Sequence, residues 1–354
     1  MCSKMGKLIG ITYDLKSDWQ KNSDDPVDMN AEFDKPETVQ RVIKALQRGG
    51  HTVKRIGNVH SLLKQIDDLN ADIVFNMCEG ASGRNRESQV PLLLELKGIP
   101  FVGADALTLG ITLDKVVAKK LFISEGIPTP RFFEVNKKDD LQTINTIGFP
   151  LMVKTRHEGS SKGISRQSRV EDINGLKCQA EMINHLYGQP ALVEEFIKGM
   201  EFTVAVLGND EPQAMPVVQV SIDGSIKLGN QFYAHDRISS DSLQYVCPAC
   251  ITDDLTALIQ DLAVRVFKCV GCRDFGRVDF RVDEKGRPYV LEINPLPSLD
   301  VKDVFNIFPR VFGSSYDEIL NKIVDFAFKR YNIIDEGSLG SSVMLPKSLE
   351  GIKS

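Results

Sequence analysis

The residues best placed to do chemistry lie in the stretch Gly276-Arg-Val-Asp-Phe-Arg-Val-Asp-Glu-Lys-Gly-Arg-Pro-Tyr-Val-Leu-Glu-Ile-Asn-Pro295. Val278, Phe280 and Val282 alternate with Arg277, Asp279 and Arg281, which is the period of a strand with one apolar and one polar face. Lys285-Gly286 predicts a two-residue hairpin turn, and that pairing sets Asp279 opposite Glu292 and Arg277 opposite Asn294. Carboxylates held about 5 Å apart on one face repel each other unless a cation lies between them. Two carboxylates and an amide oxygen suit Mg²⁺, which takes hard oxygen ligands and keeps positions free for phosphate oxygens. For the hairpin alone, a solvated sheet face neutralised by Arg277 and Arg281 is the plainer alternative.

Two further stretches tip that balance. In Phe149-Pro-Leu-Met-Val-Lys154-Thr-Arg-His-Glu-Gly159-Ser160-Ser161-Lys162-Gly163 a buried strand ends in a lysine, and a Gly/Ser loop follows whose backbone N–H groups could wrap phosphate oxygens. No G-x4-G-K-[ST] loop occurs anywhere in the chain. In Leu192-Val-Glu194-Glu195-Phe196-Ile197-Lys-Gly-Met-Glu201, acids and backbone groups at a strand end could hydrogen-bond an adenine and a ribose, although acids ahead of a turn are common.

Elements of regular spacing must hold these groups. Lys7–Tyr13, His51–Ile56 and Ala71–Met77 read as strands, with helices at about Pro36–Arg48 and Ser61–Leu69, so the first hundred residues predict an open parallel α/β lobe. Thr112–Gly126 reads as one helix carrying Asp114, Lys115, Lys119 and Lys120. The expected units are residues 1–105, a smaller α+β unit at 106–190, a further α+β unit at 191–335 and a loose tail at 336–354. Trp19 and the Asp14–Asp18 loop follow the first strand, where α/β folds bind ligands.

Taken in order, Leu-Asp114-Lys115, Val-Lys154, Glu-Gly-Ser-Ser-Lys-Gly, Glu-Glu-Phe-Ile-Lys-Gly-Met-Glu201, Tyr245-Val-Cys-Pro-Ala, Gly-Arg277-Val-Asp279 and Glu292-Ile-Asn294-Pro resemble the ATP-grasp ligases, and among them the D-alanine–D-alanine ligase-like branch. The resemblance spans residues 5–335. It implies an α/β (α+β) ATP-grasp fold, with an N-terminal open parallel lobe followed by two subdomains enclosing ATP. It implies an ADP-forming ligase that phosphorylates a carboxylate and lets an amine attack the acyl phosphate; the N-terminus, without a signal-peptide pattern, predicts a cytoplasmic setting. Lys115, Lys154, Ser160 and Ser161 would contact phosphates. Glu194, Glu195, Phe196 and Ile197 would line the adenine site, with Glu201 on the ribose. Asp279, Glu292 and Asn294 would hold two Mg²⁺ ions, with Mn²⁺ as a substitute, and Arg277 would steady the acyl phosphate and the oxyanion, with Lys154 and Ser160 as its catalytic partners. Asp14, Glu79, Arg237 and Asp303 are candidate substrate contacts, and a homodimer is common among such ligases.

Two departures point to a substrate pair other than two D-alanines, such as an amino acid and a small metabolite of mycosporine type. Asp303 aligns where true D-alanine–D-alanine ligases carry a Ser that holds the second substrate's carboxylate, and an acid there repels a carboxylate unless Lys302 or Arg237 compensates. Ile238 stands nearest the tyrosine of their closing loop. A genuine D-alanine–D-alanine ligase and a catalytically silent nucleotide-binding protein are the alternatives. Retention of Lys115, Lys154, Arg277, Asp279, Glu292 and Asn294 together argues against the silent form.

The remaining composition narrows the field. With 43 Lys+Arg against 48 Asp+Glu the net charge is −5, and without a basic run the chain lacks the cations that nucleic-acid backbones require. No apolar run approaches the roughly 20 residues of a membrane span, and the N-terminus has no signal-peptide core. Cys247-x-x-Cys250 and Cys269-x-x-Cys272 have zinc-ribbon spacing, but a helical pattern fills the interval after Thr252. A helix of about 18 residues holds the two pairs roughly 27 Å apart, which predicts structural thiols rather than zinc.

Overall fold

The computed structural model describes residues 6–19, 22–23, 25–136, 147–234 and 242–333. Arg237, Ile238 and the tail from residue 336 lie outside the described residues. Strands β1 (Leu8–Tyr13), β2 (Thr52–Gly57), β3 (Ile73–Met77) and β4 (Phe101–Val102) form a parallel sheet in the order β2-β1-β3-β4. Helix α1 (Pro36–Arg48) starts on a proline, where the missing N–H costs nothing, and buries Val39, Val42, Ile43 and Leu46 on one face. Helices α2 (Val59–Gln65) and α3 (Gln89–Leu96) complete this first lobe.

The single helix expected over Thr112–Gly126 is two helices, α4 (Ala106–Leu113) and α5 (Lys115–Ser124). Asp114 between them is extended (ψ 91°), and its carboxylate accepts the Val117 N–H at 3.2 Å. A capping aspartate starts a new helix at Lys115 and so aims that lysine, which continuous periodicity could not reveal.

Strands β5 (Phe132–Val135), β6 (Leu151–Thr155), β7 (Arg169–Val170) and β8 (Ala191–Glu195) make an antiparallel sheet in the order β5-β8-β6-β7. Helix α6 (Ile173–Leu186) packs on it through Leu176, Ala180 and Ile183. Because β8 pairs with β5 and β6, the central sheet runs through Glu195, past the division expected at residue 190.

The third sheet contains β9 (Gly199–Leu207), β10 (Gln213–Ala214), β11 (Val218–Ile222), β12 (Leu243–Val246), β13 (Phe275–Asp283) and β14 (Pro288–Asn294), in the order β12-β11-β9-β13-β14 with β10 on β9. Its apolar face, including Val278, Phe280 and Val282, packs on Ile259, Leu262, Val266 and Phe267 of helix α7 (Asp253–Cys269). That helix separates the two cysteine pairs: Cys272 is buried, Cys247 and Cys269 are half-buried and Cys250 is exposed, and among the described residues the four thiols do not come within reach of one ion. Helices α8 (Phe308–Phe312) and α9 (Tyr316–Arg330) return to the first lobe, where Ile323, Val324 and Phe328 share a core with Val42 and Leu46. Each such buried apolar side chain contributes about 1.5–3 kcal/mol. No helix among the described residues is long and apolar enough to cross a membrane.

The β13–β14 hairpin differs from the expected two-residue turn. Asp283 N–H donates to Arg287 O (3.0 Å) and Gly286 N–H to Asp283 O (2.9 Å), so Glu284, Lys285 and Gly286 form a three-residue loop with Gly286 left-handed (φ 77°). Near the loop Phe280 therefore faces Val290. A bulge at Leu291 then restores the expected register, with Asp279 opposite Glu292 and Arg277 opposite Asn294. Two departures from regular pairing cancel at the functional end.

Candidate active site

A cavity of about 1120 Å³ opens where the three sheets meet. Lys115, Lys154, Ser160, Ser161, Glu194, Glu195, Phe196, Ile197, Glu201, Arg277, Asp279, Glu292, Asn294, Glu79 and Asp303 all line it, far apart though they are in the chain. Asp14 does not: its carboxylate is buried and accepts the Gly80 N–H at 2.9 Å, which braces the loop that carries Glu79. Trp19 packs edge-on against Phe33 at 5.8 Å and is likewise absent from the wall, whereas Lys16 and Asp34 of the same region are present.

One end of the cavity is cationic. Leu151, Val153 and Thr155 of β6 turn inward, so Lys154 emerges on the cavity side. Its Nζ meets Glu194 Oε2 at 2.6 Å, while Lys119 Nζ meets Glu194 Oε1 at 2.5 Å and donates to the Thr129 hydroxyl at 2.6 Å. Burial alone would raise the Glu194 pKa, but Lys119 and Lys154 outweigh it and hold Glu194 below the usual carboxylate range. Burial pushes Lys119 down to about 8 despite Glu194. Glu194 thus braces two lysines as well as forming wall, and Lys119, fully buried behind that wall, is a positioning residue the sequence reading did not single out. Its position four residues after Lys115, on the face shared with Phe122, was the available signal.

At the hairpin, Asp279 accepts from the Thr203 hydroxyl (2.6 Å), from Arg277 Nε and Nη2 (3.1 and 3.0 Å) and from Asn294 Nδ2 (3.0 Å). Glu292 lies 3.3 Å from Lys115 Nζ, which also donates to Glu158 O at 2.5 Å. Burial would raise Glu292, yet Lys115 and Lys154 hold it down at about 2. A pair of opposed carboxylates beside an amide side chain is a set of hard oxygen donors fitting a divalent cation. Arg277 Nη1 reaches Asp303 at 3.1 Å, and burial pushes Asp303 up to about 6 although Arg277 opposes it.

The Gly/Ser loop is a tight turn in which Lys162 N–H donates to Gly159 O (2.9 Å) and both Ser160 (φ 47°) and Ser161 (φ 56°) are left-handed. Non-glycine residues held there store strain of order 1–3 kcal/mol each, typical of ligand-clamping loops. Carboxylates from the first lobe fix this turn. Glu32 accepts the Gly159 N–H (2.6 Å) and Lys162 Nζ (2.9 Å) and pairs with Arg86, and Asp28 accepts the Gly163 N–H (2.8 Å). Neither acid was legible, because residues 14–35 carry no periodicity to place them.

Acids also gather in the wall. Carboxylate oxygens of Glu32, Glu79 and Glu87 lie within 4.8 Å of one another. Burial, with Glu87 and Glu32 adding to it, pushes Glu79 well up, and burial takes Glu87 up to about 7 against the pull of Arg86. His157 sits 3.2 Å from Asp114 Oδ2 within a cluster that includes Arg84 and Arg156.

A family model described as "D-ala D-ala ligase C-terminus" matches residues 121–325. The chain is 34% identical over 298 residues to an uncharacterized protein of Sinorhizobium fredii, covering 82% of this chain and 87% of that one. It is 30% identical over 305 residues to a D-alanine–D-alanine ligase of Pelotomaculum thermopropionicum, covering 84% and 92%. A crystal structure of the Bacillus anthracis D-alanine–D-alanine ligase complexed with ATP superimposes with a TM-score of 0.71 over 93% of this chain and 99% of that one, at 22% identity, which places the fold as ATP-grasp. The chain belongs to the D-alanine–D-alanine ligase family and is an ATP-dependent ligase.

Proposed function

We propose that this ligase joins a carboxylate to an amine through an acyl phosphate, releasing ADP and phosphate, and that its substrate pair differs from two D-alanines. The observation that carries the second part is Asp303: an acid in the cavity wall, paired with Arg277 at 3.1 Å beside Asp279. A substrate carboxylate placed beside Asp303 meets repulsion that Arg277, already engaged with Asp279 and Asp303, is poorly free to offset.

In this reading Lys115 and Lys154 bind phosphate oxygens, and the Ser160-Ser161 turn covers them. Glu194, Glu195, Phe196 and Ile197 border the base, and Glu201 takes the ribose. Asp279, Glu292 and Asn294 hold Mg²⁺, which when bound neutralises phosphoryl charge. Arg277 faces the developing oxyanion. Positioning and charge neutralisation are what phosphoryl transfer needs, and no covalent nucleophile is required. Arg277 and the lysines are preorganised by Asp303, Asp279 and Glu194, so little reorganisation accompanies the charge shift. The setting is the cytoplasm and the assembly a homodimer, the latter checked by light scattering.

The second reading, a genuine D-alanine–D-alanine ligase, is favoured by the Pelotomaculum thermopropionicum relative. ADP release measured over a panel of amino acids and amines, with product masses, decides between them. Highest turnover with D-alanine alone would establish the second reading, and ATP binding without ADP release on any pair would overturn both.

A further inference from the structure

Arg281 lies on β13 two residues beyond Asp279 and is only 4% exposed. Its guanidinium is saturated. Nε donates to Ile197 O (2.6 Å), Nη1 to Glu201 Oε2 (2.9 Å) and Gln231 O (3.1 Å), and Nη2 to Gly199 O (3.4 Å) and Gly229 O (3.2 Å). The same group lies 4.9 Å from the centre of the Phe196 ring. Five acceptors from three stretches of chain are thereby gathered on one rigid fork: the β8–β9 connection, the start of β9 and residues 229–231. A lysine has three donors on a flexible stem and cannot serve all five.

The stretches so tied are the ones that face a nucleotide. Phe196, Ile197 and Glu201 line the cavity, and Glu201 also receives the Tyr233 N–H at 3.4 Å. We propose that Arg281 is a positioning residue for nucleotide recognition: it fixes Phe196 and Ile197 against the base and aims Glu201 at the ribose hydroxyls, setting the preference for ribonucleotides. This rests on the reading of Glu201 as the ribose contact. Removing the guanidinium takes a donor from a buried carboxylate and four carbonyls, leaving Glu201 the Tyr233 N–H and Gly229 O the Gly199 N–H, so the loop relaxes and Glu201 loses its aim.

The test is calorimetric binding of Mg-ATP, 2′-deoxy-ATP and 3′-deoxy-ATP to the full chain and to its Glu201→Gln, Arg281→Lys and Arg281→Met forms. Glu201→Gln should lose the preference for ATP over at least one deoxy analogue. Arg281→Met should weaken Mg-ATP about tenfold, as loss of a charge-assisted hydrogen bond does, and bring that preference within about twofold of unity. Arg281→Lys should fall between, and combining Glu201→Gln with Arg281→Met should erode the preference no further than either alone. Wild-type preference in Arg281→Met alongside its loss in Glu201→Gln overturns the proposal and leaves the ribose reading intact. An unchanged preference in Glu201→Gln removes the ribose reading and this proposal with it. Should circular dichroism show Arg281→Met unfolded, Arg281→Lys decides by the same comparison: a reduced preference supports the proposal and a wild-type one refutes it.

Discussion

Replacing Glu194 by Gln tests the cationic end of the cavity most directly. The carboxylate is 2% exposed and holds Lys119 at 2.5 Å and Lys154 at 2.6 Å, two ammonium groups that are themselves 0% and 5% exposed. Removing one partner of a buried ion pair costs about 3–5 kcal/mol, and the glutamine oxygen still accepts from one lysine, so a loss near the lower end is expected, about 3 kcal/mol at pH 6. The pH dependence is the sharper signature. Burial pushes Lys119 down to about 8, and Glu194 is what keeps it from falling further. Without Glu194 the lysine sheds its proton on folding at lower pH, while the unfolded chain keeps it up to its ordinary value. Stability of the variant should therefore climb relative to the parent by about 1.4 kcal/mol per pH unit, from the variant's own Lys119 pKa up to about 8. Urea titrations followed by circular dichroism at pH 6, 7 and 8.5 measure the gap. A gap that is absent at pH 6, or as large at pH 8.5 as at pH 6, refutes the buried-lysine argument.

Asp279→Asn and Glu292→Gln should each abolish ATP turnover while circular dichroism stays native, and near-normal ADP release in both would remove the metal assignment. Asp303→Ser should shift which amines are accepted with Mg-ATP affinity unchanged, and an unaltered amine profile would detach Asp303 from specificity. Asp34 is pushed up to about 7 by burial, with Asp300 and Asp14 adding to it, so its contribution is full below about pH 4 and lost as pH rises through 7. Asp34→Asn should accordingly raise stability at pH 8 by roughly 1–2 kcal/mol and bring no gain at pH 4. A gain of equal size at both pH values would contradict that sign.

Much of this site was readable before folding because alternation and side-chain chemistry are local properties. Strand β13 shows its two faces in Val278-Asp279-Phe280-Arg281, and the opposition of Asp279 to Glu292 follows from a two-residue turn at Lys285-Gly286. The reading survived a wrong turn length only because the Leu291 bulge compensates, which nothing in the run Tyr289–Asn294 announces. The split at Asp114 is written in a capping residue that periodicity overrode. Asp14 looked like a substrate contact because it follows β1, but the chain turns its carboxylate back onto Gly80.

The sequence by itself determined which groups are available: two opposed carboxylates with an amide, Lys154 at the end of a strand, Lys115 beside Asp114, and a Gly/Ser loop. Tertiary structure alone decided how each is held. Glu32 reaches Gly159 across 127 positions of chain, Thr203 reaches Asp279 across 76, and Arg281 gathers carbonyls from residues 197 to 231. Such contacts have no local code, because the donors and acceptors that satisfy a buried charge are whatever groups packing brings within hydrogen-bond reach.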